Sequence, residues 1–161
     1  MEFRGAPCWA LALVLIGTGL ADAPAAAVDR ARISGLGDVA FGVINATTDQ
    51  STSQSVCAFS TLSGYSVVAT GSGSGGAFTL TSGSATLPYD VLWSASAGQT
   101  GGTTLVAGTA VSGLTSLATH QTCNSGPSAS ASLTIRIRSA DLISARAGSY
   151  SGTLQITIAP E

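Results

Sequence analysis

The chain has 161 residues, of which 45% are hydrophobic and only 9% charged, and its formal net charge is −2. It contains no lysine, and from Val28 onward Arg30, Arg32, Arg136, Arg138 and Arg146 are set against Asp29, Asp38, Asp49, Asp90, Asp141 and Glu161. A surface this close to neutral cannot hold a polyanion electrostatically, which argues against nucleic acid as a partner. Its polarity must come from Ser, Thr, Asn and Gln.

The first element is a leader. After Met1 and Arg4, the apolar run Trp9–Ile16 is succeeded by small residues from Ala21 to Ala27, the pattern of a secretory signal peptide cleaved after Ala27 or Ala23. The run is shorter than the ~20 apolar residues of a membrane span, and Gly17, Gly19, Asp22 and Pro24 keep it from extending further. Removal is therefore expected, with no permanent membrane anchor. The expected organisation is 1–27 as signal peptide and 28–161 as one domain, enough for a single core. Cys8 leaves with the leader, so Cys57 and Cys123 remain as an even pair in an oxidising compartment and are read as a disulfide.

No later segment sustains helical apolar spacing, and Glu and Lys, usual fillers of exposed helix, are nearly absent. The domain is therefore read as all-β. Asp38–Ile44 is the first expected strand, with Val39, Phe41 and Val43 on one face, and Asn45–Ser55 is expected to be a loop. Val56–Phe59, Tyr65–Thr70 and Ala77–Thr81 come next, the last two separated by the glycine-rich turn 71–76. Leu87–Trp93, with Pro88 suited to a strand start or edge, Thr103–Val111, Ser132–Arg138 and Gly152–Ile158 complete about eight strands, a pattern typical of a sandwich or barrel.

Local matches to catalytic motifs fail on context. Gly71, Gly73 and Gly76 have dinucleotide-loop spacing, but a strand comes after them and no helix N-terminus is offered to a phosphate. His120 lies three residues before Cys123. That pair could suggest a metal or a thiol catalyst, yet zinc takes three or four ligands and a nucleophilic cysteine needs a free thiol. The aspartates do not gather in sequence, so a hydrolase would depend on the fold to assemble its carboxylates. Neither an enzyme nor a cofactor is expected. Arg136 and Arg138 alternate with Ile135 and Ile137 and so point to a wet face, where they could discourage wrong edge pairing or meet an acidic partner or glycan. Asn45-Ala46-Thr47 has the form of a glycosylation acceptor. Trp93 is read as core, with a rim position suited to sugar stacking as the alternative.

The last strand carries the sharpest signal. Leu154, Ile156 and Ile158 face one way and Thr153, Gln155 and Thr157 the other. With no successor strand after it, its outer edge needs a partner chain. Leu154, Ile156 and Ile158, with Val39 and Phe41 of the first expected strand, are the candidate lining of a partner-strand groove.

The block Leu87-Pro88-Tyr89-Asp90-Val91, together with the closing Ala147-Gly148-Ser149-Tyr150-Ser151-Gly152-Thr153-Leu154, resembles the spore coat protein U family, which includes subunits of archaic chaperone-usher pili. The resemblance runs from roughly Val39 to Ile158. It implies an immunoglobulin-like sandwich lacking its final strand, exported through the periplasm to the cell surface or medium. Its implied partners are a periplasmic chaperone that first fills the groove, an usher, and a neighbouring subunit whose N-terminal segment replaces the chaperone strand. The function it implies is that of a fimbrial subunit assembled by donor-strand complementation, serving adhesion or biofilm formation. In this chain the segment Val28–Leu36 alternates imperfectly as a donor, which would suit a tip position. The pairing of Cys57 with the late loop around Cys123 also departs from a bridge between two early strands. The competing expectation is a self-contained secreted sandwich that binds carbohydrate or coats a surface.

Overall fold

A computed structural model describes residues 28–161, and the leader read at 1–27 lies outside the described residues. Among the described residues the chain forms β1 (Ala31–Ser34), β2 (Gln50–Ser60), β3 (Gly64–Gly71), β4 (Thr79–Ser82), β5 (Ala85–Pro88), β6 (Asp90–Ser94), β7 (Thr103–Thr104), β8 (Val111–Thr115), β9 (Ala131–Ile137), α1 (Ser139–Ser144) and β10 (Leu154–Pro160). The fold is all-β apart from α1 and a single 3₁₀ turn at Ser74–Gly76. A five-stranded sheet runs β1-β2-β9-β6-β7, a three-stranded sheet runs β10-β3-β8, and β4 and β5 make a separate hairpin. All pairings are antiparallel.

The two larger sheets share one core. Val56 and Ala58 of β2, Val91 and Trp93 of β6, and Ala131, Leu133 and Ile137 of β9 meet Tyr65, Val67 and Ala69 of β3. The alternation of β3 is complete, since Tyr65, Val67 and Ala69 are fully buried while Ser66, Val68 and Thr70 are not. Across the core the Trp93 indole Nε1–H donates to the Tyr65 hydroxyl at 3.0 Å, with the rings edge to face at 6.4 Å. This is a favoured aromatic geometry, and it satisfies a donor that burial would otherwise orphan. Burial raises the Tyr65 phenol above its usual pKa, the Trp93 bond opposing only in part. Trp93 is thus core and not rim.

On the outer side of the five-stranded sheet, Cys57 of β2 is bonded to Cys123, a sequence separation of 66. Ala118 and Phe59 pack against this disulfide, which ties the loop after β8 to the sheet. Two buried serines fasten the same region, Ser130 Oγ and Ser116 Oγ both donating to the Ala58 carbonyl. The loop 95–99 lies over the neighbouring outer face, where Ser132 Oγ donates to Ser96 O and accepts from Gln99 N–H.

Several expected elements differ. Asp38–Ile44 forms no strand: Gly42 takes φ +65°, Val43 is fully exposed, and no ladder partner lies beside it. The expected loop Asn45–Ser55 is in large part strand, because Gln50–Ser55 pairs residue for residue with β9 despite its polar composition. Ala31–Ser34, inside the segment read as a candidate donor, pairs with Cys57–Ser60 of its own chain. Leu87–Trp93 is broken at Tyr89, leaving β5 on the hairpin and β6 in the large sheet. Thr103–Val111 is two strands joined by a crossing between sheets, marked by Leu105 N–H to Val91 O and Gly108 N–H to Ala69 O, both 2.8 Å. The glycine-rich stretch is a turn, as read, with Gly75 and Gly76 both at positive φ. The unpredicted α1 is six residues long, and its first amide, Ser139 N–H, is capped from a distance by Asp49 Oδ1 at 2.8 Å.

Replacing Tyr65 with Phe leaves the Trp93 N–H buried without an acceptor and should cost about 1–3 kcal/mol, read as a lower urea midpoint at unchanged slope. Replacing both Cys57 and Cys123 with Ala should cost about 4 kcal/mol if chain entropy dominates. Wild type in reductant should move by the same amount.

Candidate functional site

The burial of β10 sets it apart. Leu154, Ile156, Ile158 and Pro160 alternate with exposed Gln155, Thr157 and Ala159 as the sequence pattern requires, but the inward set is only half-buried. The strand is the edge of its sheet: it pairs with β3 on one side, from Leu154↔Gly71 to Pro160↔Tyr65, and among the described residues with no strand on the other. Between that open edge and residues 36–46 lies a groove of about 1100 Å³. Such a volume exceeds the upper end of most small-molecule sites.

Residues 36–46 form the opposite wall. They form no ladder, with Gly42 at positive φ and a bend at Val43, and side chains of β2 hold them instead: Gly37 N–H donates to Gln54 Oε1 at 3.0 Å, and Gln50 Nε2 donates to Asn45 O at 3.2 Å. The segment therefore tracks β2 backwards from Gln54 to Gln50. The floor is β9, whose Leu133, Ile135 and Ile137 stand opposite Gln54, Thr52 and Gln50 in the ladder, Ile135 half-buried and the other two buried. Leu142 of α1, Tyr150 and Tyr89 line the space as well. Desolvation raises the Tyr89 phenol above its usual pKa, as expected for a hydroxyl beside an apolar lining.

Of the five residues expected to form a groove, Val39, Phe41, Leu154 and Ile156 line this one. Ile158 shares their face but lies beyond the groove, on the stretch of β10 that continues toward the β1 end of the molecule. The floor was not anticipated, although the alternation of Leu133, Ile135 and Ile137 was its available signal. Leu142 and Tyr150 lie in segments with no strand pattern, and only the tertiary fold brings them in.

The other candidate residues go elsewhere. Arg136 and Arg138 both engage Asp90: Arg136 Nη2 donates to Asp90 Oδ2 at 2.8 Å, and Arg138 donates through Nε to Oδ2 and through Nη2 to Oδ1, both at 2.8 Å. Asp90 stands directly opposite Arg136 in the β6–β9 ladder. Since β9 lies in the middle of its sheet, these charges cannot serve to protect an edge. They form a cross-strand ion cluster instead. The Arg138 hydrogen bond, helped by Arg136 and opposed by partial burial, holds Asp90 below the usual carboxylate pKa. His120 is exposed, with Nδ1 3.1 Å from Thr122 Oγ1. Among the described residues no three His, Cys, Asp or Glu side chains gather into a potential metal site. The buried Trp93 and the Asp90-bound arginines remove two features that suggested a sugar surface.

No family model, curated protein or solved structure matches this chain. The groove geometry and the residue pattern are therefore the grounds for its functional reading.

Asp90→Asn should lower stability at neutral pH by about 1 kcal/mol, a small value because Arg138 is more than half exposed and solvent screens it. A depressed folded pKa contributes stability that is complete above the unfolded carboxylate value of about 4 and is lost as pH falls through the folded value. The gap between wild type and Asp90→Asn should therefore be full at pH 6 and close in acid. A gap constant down to pH 2 would contradict this.

Proposed function

We propose that this protein is a non-enzymatic structural subunit of a secreted or cell-surface fibre, related to the spore coat protein U family and built as an immunoglobulin-like sandwich short of one strand. It is assembled by β-strand addition and contributes to adhesion or biofilm formation. The observation that carries this reading is an apolar groove between the edge of β10 and residues 36–46, neither of which, among the described residues, has a ladder partner on that side. An inserted strand would pair with the β10 edge and place alternate side chains against the half-buried Ile135, Leu154 and Ile156, the two ingredients of strand-addition recognition. It also explains why 38–44 has strand composition without strand structure: its neighbour would be the incoming chain. On this reading a periplasmic chaperone protects the groove before a neighbouring subunit fills it, since an open edge over apolar surface invites aggregation.

The chain from Val28, made in an oxidising compartment, should bind a synthetic peptide of alternating apolar residues at 1:1 and gain several degrees in Tm. Ile156→Asp, which places a charge in the groove wall, should weaken that binding at least tenfold. A stable monomer indifferent to every such peptide would replace this reading with a self-contained secreted domain.

A further inference from the structure

β2 has an open edge of its own. β1 covers it only from Cys57 to Ser60, and from Gln50 to Val56 the strand pairs, among the described residues, with β9 alone. Two backbone bonds show which groups that edge exposes: Ser130 N–H donates to Val56 O at 3.0 Å, and Thr61 N–H donates to Arg30 O at 2.9 Å. Even-numbered residues of β2 therefore turn their backbone groups toward β9, and odd-numbered residues turn theirs toward β1. Ser51, Ser53 and Ser55 present N–H and C=O groups along the open stretch, and among the described residues no backbone group answers them.

Residues 36–46 run beside this edge without joining it. Continued past Ser34↔Cys57, the β1–β2 register would set Leu36 on Ser55, Asp38 on Ser53 and Ala40 on Ser51. It would also set Gly37 on Gln54, and those two residues already meet: Gly37 N–H donates to Gln54 Oε1 at 3.0 Å, and Gln54 Nε2 donates to Gly37 O at 3.4 Å. A side-chain amide thus stands between two backbones that are in register but one side chain too far apart. Gly35 at φ +82° ends the ladder just after Ser34, and Gly42 at φ +65° bounds the segment at its other end. Both are conformations that glycine enters and leaves at little cost.

We infer that residues 36–41 are a strap with a second seat, a continuation of β1 laddered onto Ser51–Ser55 at the register β1 sets, reached by rotation at Gly35 and Gly42. The parity that places Ile33 opposite Ala58 keeps Val39 and Phe41 on the core side in that seat, opposite Thr52 and Gln50. The strap thus changes its backbone partner while its apolar side chains keep their face. The two sheets face each other about 10 Å apart, and one short segment does not lie in the plane of both. On the strand-addition reading, β2 therefore competes with an incoming strand for the strap, and the second seat lowers the affinity of the groove.

Val39→Cys with Thr52→Cys tests the register, because a non-hydrogen-bonded antiparallel pair has Cα atoms about 4.5 Å apart, within disulfide range. In the chain from Val28, with the Cys57–Cys123 bridge verified by mass mapping, this pair should close at least about tenfold faster than Val39→Cys with Gln50→Cys, a diagonal neighbour in the same ladder. Gly35→Ala, which disfavours positive φ, should quicken the closure at least about fivefold. Without any added cysteine, Gly35→Ala should also slow hydrogen exchange at the Asp38 and Ser53 amides relative to wild type. Closure no faster at Thr52 than at Gln50, or closure and exchange both unmoved by Gly35→Ala, would overturn the second seat and leave strand addition untouched. The cross-linked fraction should bind a peptide of alternating Ile and Thr at least about tenfold more weakly than the open fraction of the same variant. Equal binding would overturn the competition. Selective closure with no binding by either fraction would overturn strand addition while the seat stands.

Discussion

Three strands face five across this core, and much of the rest of the molecule depends on that mismatch. A sheet buries its apolar face only where another layer covers it. β3, the central strand of the smaller sheet, has that cover, and its inward Tyr65, Val67 and Ala69 are inaccessible to solvent. β10, at the edge, does not along the groove, where its inward Leu154 and Ile156 remain half-buried. Water in contact with these side chains and with Ile135 of β9 is the unfavourable term that a covering strand would remove. The same shortage leaves one edge of β10 without hydrogen-bond partners, so apolar surface and open backbone coincide along one line.

The remaining structure holds that line in shape. The Trp93–Tyr65 bond joins the sheets at the middle of the core, away from the groove. The Cys57–Cys123 bridge and the serines bonded to Ala58 O secure the outer side of β2. Asp90 links the end of β9 to β6 through two arginines, and Asp49 caps the helix that comes after β9. The β9 floor is thus braced by bonds outside the groove, while the Gly37–Gln54 bond holds the opposite wall from within its lining. A preformed groove has less order to acquire when a partner enters, which favours affinity for an extended segment.

Legibility tracked burial. The inward faces of β3, β9 and β10 could be read from alternation because one side of each strand meets the core and the other meets water or a polar loop. Gln50–Ser55 could not, since its inward positions are the polar Gln50, Thr52 and Gln54, and its outward Ser53 and Ser55 bond to the loop at 98–99 or to Thr134. A strand with polar groups on both faces looks like a loop until its ladder is seen. Asp38–Ile44 misled in the opposite direction: its alternation is that of a strand, but a strand also needs a neighbour to bond. Of the proposed lining, Val39, Phe41, Leu154 and Ile156 were visible as periodic apolar residues, whereas Leu142 and Tyr150 carry no local pattern and arrive through the α1 connection.

By itself the sequence determined the all-β class, the pairing of Cys57 with Cys123, the turn at 71–76 and the inward face of β10. Each depends on short-range periodicity, on glycine's conformational freedom or on cysteine arithmetic. Only the tertiary structure decided that β1 would pair with β2, that Asp90 would gather Arg136 and Arg138, and that the groove would end before Ile158. Those outcomes depend on which strands become neighbours across long sequence separations. Backbone hydrogen bonds are the same for every residue type, so composition alone does not say where a ladder stops.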